Sequence, residues 1–259
     1  MRVGLIGCGA IGGAIVDALG RGAIPGAALS GVLRRHATEE PPTVSSVDEL
    51  VAGCDVVVEA ASHAALAEHG PAVVRAGRDL VVLSVGALAD DRLRERLMVT
   101  KGGRVLLSTG ACGGVDLLRA AHALRPLDAV TLRTTKHGAA VARDWMEPEL
   151  RRRLVDGDGP VVAFSGPARD AVRLFPETAN IAALLALATV GLDRLAVTVV
   201  GDPRRTSAQH EIHARGAAGE YRFEIENAVS PANPRTSAVT AYAVVRALAD
   251  RAGMFTPGW

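Results

Sequence analysis

The stretch of sequence that decides the fold is Val3-Gly4-Leu5-Ile6-Gly7-Cys8-Gly9-Ala10-Ile11-Gly12-Gly13-Ala14-Ile15-Val16-Asp17-Ala18-Leu19. Its first residues are apolar and β-prone, and apolar side chains then recur at helical spacing. Between these two patterns, three glycines follow the spacing G-x-G-x-x-G. A strand, a tight turn and a helix in this order predict a dinucleotide-binding loop.

The glycines of this loop have separate predicted tasks. Gly7 allows the sharp turn, Gly9 lets a pyrophosphate approach the backbone, and Gly12 lets the helix pack close to the strand. The N–H groups at the helix start, at Ala10 and Ile11, would then face the phosphates. The alternative is a tight turn in an α/β domain that binds no cofactor.

Two arginines follow the second predicted strand, Ala28–Leu33. An NAD-specific site would carry a carboxylate there for the ribose 2′-hydroxyl, whereas Arg34 and Arg35 suit a 2′-phosphate. The cofactor is therefore predicted to be NAD or NADP, with NADP plausible. Two solvated arginines are the alternative, and Glu39 and Glu40 come too late in a proline-rich loop.

Three further apolar runs, at residues 55–62, 79–88 and 104–108, alternate with helical patterns. The pair Gly70-Pro71 is expected to kink or divide the first of these helices. The order predicts an α/β fold with a Rossmann-type, doubly wound parallel sheet. Ligands of such sheets bind at the carboxyl ends of the strands. Four residues there are predicted to lie beside the cofactor: Ala60, Ser62, Val85 and Gly86.

A second domain, of α/β or α+β type, is predicted to begin where small residues accumulate after Ser108. Strands are predicted at 129–135, 161–165, 196–201, 210–215 and 221–227, with helices at 115–124, 168–175, 180–189 and 236–251. The alternation in the last two strands suits an antiparallel pair with one exposed face, joined by a turn at 217–220.

Composition bounds the class of protein. The chain has 259 residues, of which 49% are hydrophobic and 22% charged, as in globular proteins. With 29 basic and 28 acidic residues, it gives no reason to expect a nucleic-acid or membrane partner. The cysteines, Cys8, Cys54 and Cys112, form no metal-binding pattern, and their odd number favours the cytoplasm.

Four separated phrases in this chain resemble the L-aspartate dehydrogenase family: Ser108-Thr109-Gly110-Ala111-Cys112-Gly113-Gly114-Val115-Asp116, Phe175-Pro176-Glu177-Thr178-Ala179-Asn180-Ile181-Ala182-Ala183, Gln209-His210-Glu211-Ile212, and Asn233-Pro234-Arg235-Thr236-Ser237. The resemblance covers essentially the whole chain. It implies NAD(P)-dependent, reversible oxidative deamination of L-aspartate to oxaloacetate and ammonia through iminoaspartate. It also implies a homodimer. On the family pattern, residues 1–108, completed by 230–259, form the dinucleotide-binding domain, and residues 109–229 form the substrate, catalytic and dimerisation domain.

The resemblance also assigns residues. Ala111 and Asn180 match positions that contact the cofactor, and His210 matches the catalytic histidine. The sequence departs from the family at Thr178, where many members have a second Asn, and at Lys136-His137-Gly138, where Lys-Pro-Pro is usual. These departures leave two alternatives open: a dehydrogenase of a related amino or imino diacid in a specialised pathway, or a non-catalytic NAD(P)-binding subunit.

The chemistry of deamination gives His210 a separate rationale. Water must attack an imine and protons must reach the departing ammonia, and a histidine titrating near neutrality does both without a large pKa shift. The alternative is a half-buried strand residue. His213 is predicted to be structural or exposed.

Both substrate carboxylates need cations or backbone N–H groups. Candidates are Lys136, His137 and the Gly113-Gly114 helix entry. Asp116 is predicted either to orient a neighbour or to cap a helix. Residues 233–237 are predicted to begin the last helix.

Overall fold

A computed structural model describes residues 1–35, 41–98, 102–176, 179–231 and 233–253. Glu39, Glu40 and Thr178, which entered the sequence predictions, lie outside these described residues. The chain divides into two compact units, one of Met1–Gly110 with Thr240–Trp259 and the other of Ala111–Val239. The second unit therefore extends past the predicted boundary at Val229.

The first unit is built on a six-stranded parallel sheet. Its strands are β1 (Arg2–Ile6), β2 (Ala28–Leu33), β3 (Thr43–Val44), β4 (Val56–Glu59), β5 (Asp79–Val82) and β6 (Val105–Leu107). They lie in the order β3-β2-β1-β4-β5-β6, and every neighbouring pair is parallel. This is the doubly wound arrangement of dinucleotide-binding domains, so the predicted fold class is confirmed.

Helices connect these strands: α1 (Ala10–Gly20), α2 (Val47–Gly53), α3 (His63–Arg75) and α4 (Asp91–Met98), with a 3₁₀ turn at Val85–Ala89. Helix α3 runs without a break through Pro71, so the expected division at Gly70-Pro71 is wrong. Proline removes one backbone donor. Here the helix is held by a Ser62 side-chain cap and by buried residues on both sides of the proline, among them Leu66 and Val74.

The second unit contains a five-stranded sheet in the order β11-β10-β7-β9-β8. Its strands are β7 (Leu127–Lys136), β8 (Val161–Pro167), β9 (Ala196–Gly201), β10 (Ala208–Gly216) and β11 (Gly219–Asn227). β10 pairs antiparallel with both β7 and β11, as the alternating pattern predicts, whereas β7 and β9 are parallel.

The helices of this unit are α5 (Val115–Leu124), α6 (Gly138–Val141), α7 (Pro148–Asp156), α8 (Ala168–Leu174) and α9 (Asn180–Ala188). The sequence analysis missed α6 and α7. Helix α6 has only four residues, and α7 buries Leu154 alone, so neither carries a strong apolar pattern.

Residues 233–237 do not begin the last helix, contrary to the prediction. Asn233–Ser237 is a strand, β13, which pairs antiparallel with β12 (Val229–Ser230), and helix α10 (Val239–Arg251) starts after it. Threonine and serine are found both in strands and at helix caps, so the local sequence does not separate the two.

Helix α10 completes the core of the first unit. Its buried Val244 and Leu248 pack in one cluster with Val3 and Leu5 of β1. Arg251 at its end forms an ion pair with Asp79 of β5. The same carboxylate accepts hydrogen bonds from the Arg104 backbone N–H at 2.6 Å and from its guanidinium at 2.9 and 3.1 Å.

We expect Asp79→Ala to lower the free energy of unfolding by about 1–3 kcal/mol, because it leaves a half-buried backbone donor and two guanidinium groups without the buried carboxylate that accepts from them. Burial raises the pKa of Asp79, but the hydrogen bonds and charges of Arg104 and Arg251 outweigh it and hold the pKa below its ordinary value. The stabilisation is therefore present above the unfolded-state pKa of about 3.9 and is lost as the pH falls below it.

Urea unfolding of the variant and the wild type at pH 7 and at about pH 3 measures this effect. Asp170→Ala is the matched control, since Asp170 pairs with Arg173 on an exposed helix surface and should change stability by less than about 0.5 kcal/mol. Equal unfolding midpoints for Asp79→Ala and the control would contradict the anchoring role.

Candidate active site

The glycine loop after β1 distinguishes structural glycines from one that borders open space. Gly7 has φ +89°, and a Cβ there would lie 2.7 Å from the Cβ of Ala61. A Cβ on Gly12 would lie 2.4 Å from the Gly7 carbonyl oxygen. A Cβ on Gly9 would meet no heavy atom within 4 Å. Gly7 and Gly12 are therefore required by the fold itself, and Gly9 faces space that a ligand could occupy.

The start of α1 fits a phosphate group. Gly9 is the N-cap residue, and no side chain caps the helix. The N–H groups of the first turn, at Ala10, Ile11 and Gly12, have no partner within the helix. A pyrophosphate group needs backbone that it can approach closely and N–H groups that are free to donate, and this helix start has both. The described residues thus fit the predicted dinucleotide.

Glu59, which the sequence analysis missed, joins the loops that follow β4 and β5. Its side chain is completely buried. One carboxylate oxygen accepts from the Ala61 N–H at 2.9 Å and from the Ser84 hydroxyl at 2.8 Å, and the other accepts from the Ser84 N–H at 3.0 Å. The sequence does contain a signal for this role, since Glu59 is a single carboxylate at the end of an apolar strand. A charge buried in that way requires hydrogen-bond partners.

The residues predicted to lie beside the cofactor are at the carboxyl ends of β4 and β5. Two of their side chains, those of Ser62 and Val85, are already used in the fold. The Ser62 hydroxyl accepts from the Ala65 N–H at 3.2 Å and caps α3. Val85 is 2% exposed, and Gly86 is buried in the same 3₁₀ turn. Ala60 is half-buried between β4 and this cap. Any cofactor contact at Ser62 and Val85 would therefore fall mainly to the backbone.

The two arginines after β2 differ in their surroundings. Arg34 is half-buried, and its guanidinium donates to the Thr43 hydroxyl and to the Pro41 carbonyl, each at 3.1 Å. Arg35 is exposed. Arg34 thus ties β2 to the segment of β3, and Arg35 is the better placed of the two to meet a ligand from solution.

In the second unit, the small-residue segment before α5 packs over β11. Gly114 has φ +75°, and a Cβ there would lie 2.5 Å from the Phe223 ring. The Asn227 side chain donates to the Ala111 carbonyl at 3.1 Å. Phe223 and Asn227 each lie two residues from Ile225, which pairs with His210, so these side chains share one face of the sheet. Ala111 is therefore held near the face that carries His210.

His210 is the buried polar group at the centre of this face. It lies in β10 opposite Thr134 of β7 and is 2% exposed. Its Nδ1 lies 3.1 Å from the Thr134 hydroxyl. Burial, and then the positive charge of Lys136, lower the pKa of His210 to about 3. The expectation that it titrates near neutrality is wrong for the free protein, because a buried imidazolium loses its hydration and faces a like charge.

Lys136 ends β7 two residues after Thr134 and so shares its face of the sheet. Burial and the charge of Arg143 lower the pKa of Lys136 to about 8. Among the described residues no carboxylate lies within ion-pair distance of its ammonium group. A pocket opens beside it, lined by Lys136, His137, Ala140, Thr206, Ser207, Ala208, Val229, Thr236 and Ser237.

The other predicted residues lie elsewhere. Asn180 is the first residue of α9 and is half-buried. His213 lies on the opposite strand face from Ile212, with Nε2 2.7 Å from Glu220 and 44% of its side chain exposed, which fits the prediction of a structural or exposed residue. Asp116 is exposed in the first turn of α5.

Cys54 and Cys112 are buried thiols. All three cysteines are free, and burial raises the pKa of Cys112 to about 12, which keeps it a thiol. In the described ranges, no three metal-binding side chains come together. None of the helices described is both long enough and apolar enough to pass through a bilayer.

Comparisons with known proteins agree with this arrangement. Residues 116–251 match the family model of the aspartate dehydrogenase C-terminal domain, and residues 7–102 match the NAD-binding domain of homoserine dehydrogenase. The chain is 39% identical to L-aspartate dehydrogenase 2 of Bordetella bronchiseptica, with 99% of each chain covered. It is 34% identical to L-aspartate dehydrogenase of Methanosarcina barkeri, with 96% of each chain covered.

A solved structure extends the likeness to the fold. The crystal structure of aspartate dehydrogenase from Thermotoga maritima superposes with a TM-score of 0.76 at 26% identity, covering 100% of this chain and 99% of that one. A family model that spans the second unit, together with relatives that match along nearly the whole chain, leads to one conclusion: this chain belongs to the aspartate dehydrogenase family.

Proposed function

We propose that the protein is an NAD(P)-dependent L-aspartate dehydrogenase, which converts L-aspartate reversibly to oxaloacetate and ammonia through iminoaspartate. The observation that carries this proposal is the buried His210–Thr134 pair on the same sheet face as the unpaired Lys136. A buried imidazole with one nitrogen fixed and a nearby cation is suited to a reaction that moves protons on a dianionic substrate.

The first unit would hold the cofactor. Gly9 leaves room for the pyrophosphate, and the N–H groups of Ala10, Ile11 and Gly12 donate to it, while Glu59 keeps the loops after β4 and β5 in place. A bound nicotinamide cofactor would supply the hydride acceptor for oxidation at the substrate Cα. From the resemblance of their sequence segments to the family, we also propose that Ala111 and Asn180 contact the cofactor.

His210 would act on the water that hydrolyses the imine. If Nδ1–H donates to the Thr134 hydroxyl, Nε2 carries a free lone pair. That lone pair takes a proton as water adds to the imine carbon, and the resulting imidazolium returns a proton to the departing amine. His210 is neutral before substrate binds because its pKa is low, and the negative charges of a bound diacid would raise that pKa toward the range of an efficient general base.

We propose a cytoplasmic homodimer in which the second unit carries both catalysis and dimerisation, as the family pattern implies. The three free cysteines are in keeping with a reducing compartment. A related amino diacid is the second candidate substrate. His137 favours it, because this residue replaces a usual proline and lines the pocket, where its Nδ1 accepts from the Ala139 N–H at 3.2 Å.

We expect Gly9→Val to fold and to weaken NAD(P) binding at least tenfold, because the new side chain fills space that the pyrophosphate needs. Fluorescence titration with NADH and NADPH measures the affinity. Gly20→Ala, at the far end of α1, also meets no neighbouring atom and should bind as the wild type does. A folded Gly9→Val protein with unchanged affinity would rule out this loop as the cofactor site.

We expect Arg35→Ala to lower NADPH affinity about tenfold and to leave NADH affinity nearly unchanged, because only NADPH offers a phosphate to the exposed guanidinium. Arg34→Ala should lower stability more than it alters cofactor choice, since its side chain binds Thr43 and Pro41. Equal losses for both cofactors in Arg35→Ala would show that this side chain does not read the 2′-phosphate.

We expect His210→Asn to reduce kcat with L-aspartate by about 10²–10⁴-fold while cofactor affinity stays close to the wild-type value. Reduced-nicotinamide absorbance measures the rates, with other amino diacids assayed in parallel to test the substrate. His213→Ala is the control and should keep most of its activity. A His210→Asn rate within a few-fold of wild type would refute the proposed mechanism.

A further inference from the structure

The proposed chemistry places the Lys136 cation near a dianionic substrate but does not name the substrate group that it binds. Lys136 is one of only two lysines among the 29 basic residues of the chain, the other being Lys101. It is half-buried, and none of the described carboxylates pairs with it. An unpaired ammonium group at such a position costs free energy, which a bound anion would offset.

The pocket beside Lys136 supplies further hydrogen-bond donors. Thr206, Thr236 and Ser237 line it, and in the described part of the chain their hydroxyls have no hydrogen-bond partner. Ser207 differs, because its hydroxyl donates to Glu226. One cation with several short hydroxyl groups matches a ligand group of single negative charge with two acceptor oxygens, which is a carboxylate.

The pocket also lies in register with His210. Thr134, the partner of His210, and Lys136 are two residues apart on β7, while Ala208 of the pocket wall and His210 are two residues apart on β10. Because side chains two residues apart share a strand face, the pocket and the imidazole open on the same side of the sheet. The Gly113-Gly114 entry offers no comparable group, and the Phe223 ring fills the space at Gly114.

We propose that this pocket binds one carboxylate of the substrate through the Lys136 ammonium group, with Thr236 and Ser237 as further donors, and so selects amino diacids over monocarboxylic amino acids. The inference rests on the proposed function. It assigns the recognition of one acidic group to residues of β7 and β13, apart from the imidazole of β10 that moves protons.

The charges on this face make the binding sensitive to pH. Lys136 lies near Arg143 and His210. The charge of Arg143 lowers the pKa of Lys136, and the charge of Lys136 lowers the pKa of His210. The carboxylates of β10 and β11 lie on the other face, where Glu211 pairs with Arg133 and Glu226 with Arg205. Since burial and Arg143 lower the pKa of Lys136 to about 8, carboxylate affinity should fall as the pH rises above that value.

The test measures binding of succinate, a dicarboxylate that cannot be oxidised at an amine, to the full chain by calorimetry. We expect Lys136→Met to weaken succinate binding and to raise KM for L-aspartate at least tenfold, with a smaller change in kcat. Wild-type affinity for succinate should exceed that for butyrate and should fall between pH 7 and pH 9. Arg222→Met, which changes an exposed cation of β11, is the matched control and should bind succinate normally.

Two results would overturn the pocket assignment: unchanged succinate affinity in a folded Lys136→Met protein, or inorganic phosphate binding more tightly than succinate in a Lys136-dependent manner. Lys136→Arg keeps the charge and should retain more affinity for succinate than Lys136→Met. That comparison separates loss of the charge from a defect in folding. An active aspartate dehydrogenase with normal succinate binding in Lys136→Met refutes the pocket alone. Lys136-dependent succinate binding without turnover of L-aspartate refutes the proposed function alone.

Discussion

The antiparallel pairing of β10 with β7 is the constraint on which the candidate site depends. The register sets His210 opposite Thr134, at 3.1 Å between Nδ1 and the hydroxyl oxygen, and places Lys136 farther along the same face. A slip of β10 by one residue would turn His210 to the charged outer face, away from Thr134 and Lys136. The buried residues Ile212 and Ala214 hold β10 in register, because the same slip would expose them to water.

Burial shapes the chemistry of this face. A histidine at the surface would be partly protonated near neutrality, but His210 is 2% exposed and its pKa falls to about 3. The same effect brings the pKa of Lys136 to about 8. In the proposed mechanism the two groups therefore have different tasks: the neutral imidazole would act as the base, and the ammonium group would bind the anionic substrate.

In the first unit, the candidate site is shaped by the close approach of backbone segments. The Gly7 carbonyl and the α1 backbone at Gly12 come so near that no side chain fits between them. This contact fixes the start of α1 next to the carboxyl end of β1. The loops after β4 and β5, which Glu59 joins, follow strands of the same sheet. Gly9 stands between two structural glycines, and only its own position faces open space.

The sequence by itself determined the parallel sheet, the G-x-G-x-x-G loop and the antiparallel pair β10–β11, since each follows from local periodicity and glycine spacing. It also singled out His210 and Lys136. It misread Pro71 and residues 233–237, where neighbours held a helix together or drew the chain into a strand. Only the tertiary structure decided the Thr134–His210 pair, the hydrogen bonds of Glu59, the pKa of His210 and the different surroundings of Arg34 and Arg35. Each depends on contacts between residues distant in the chain, and on how much water they exclude, which no local pattern records.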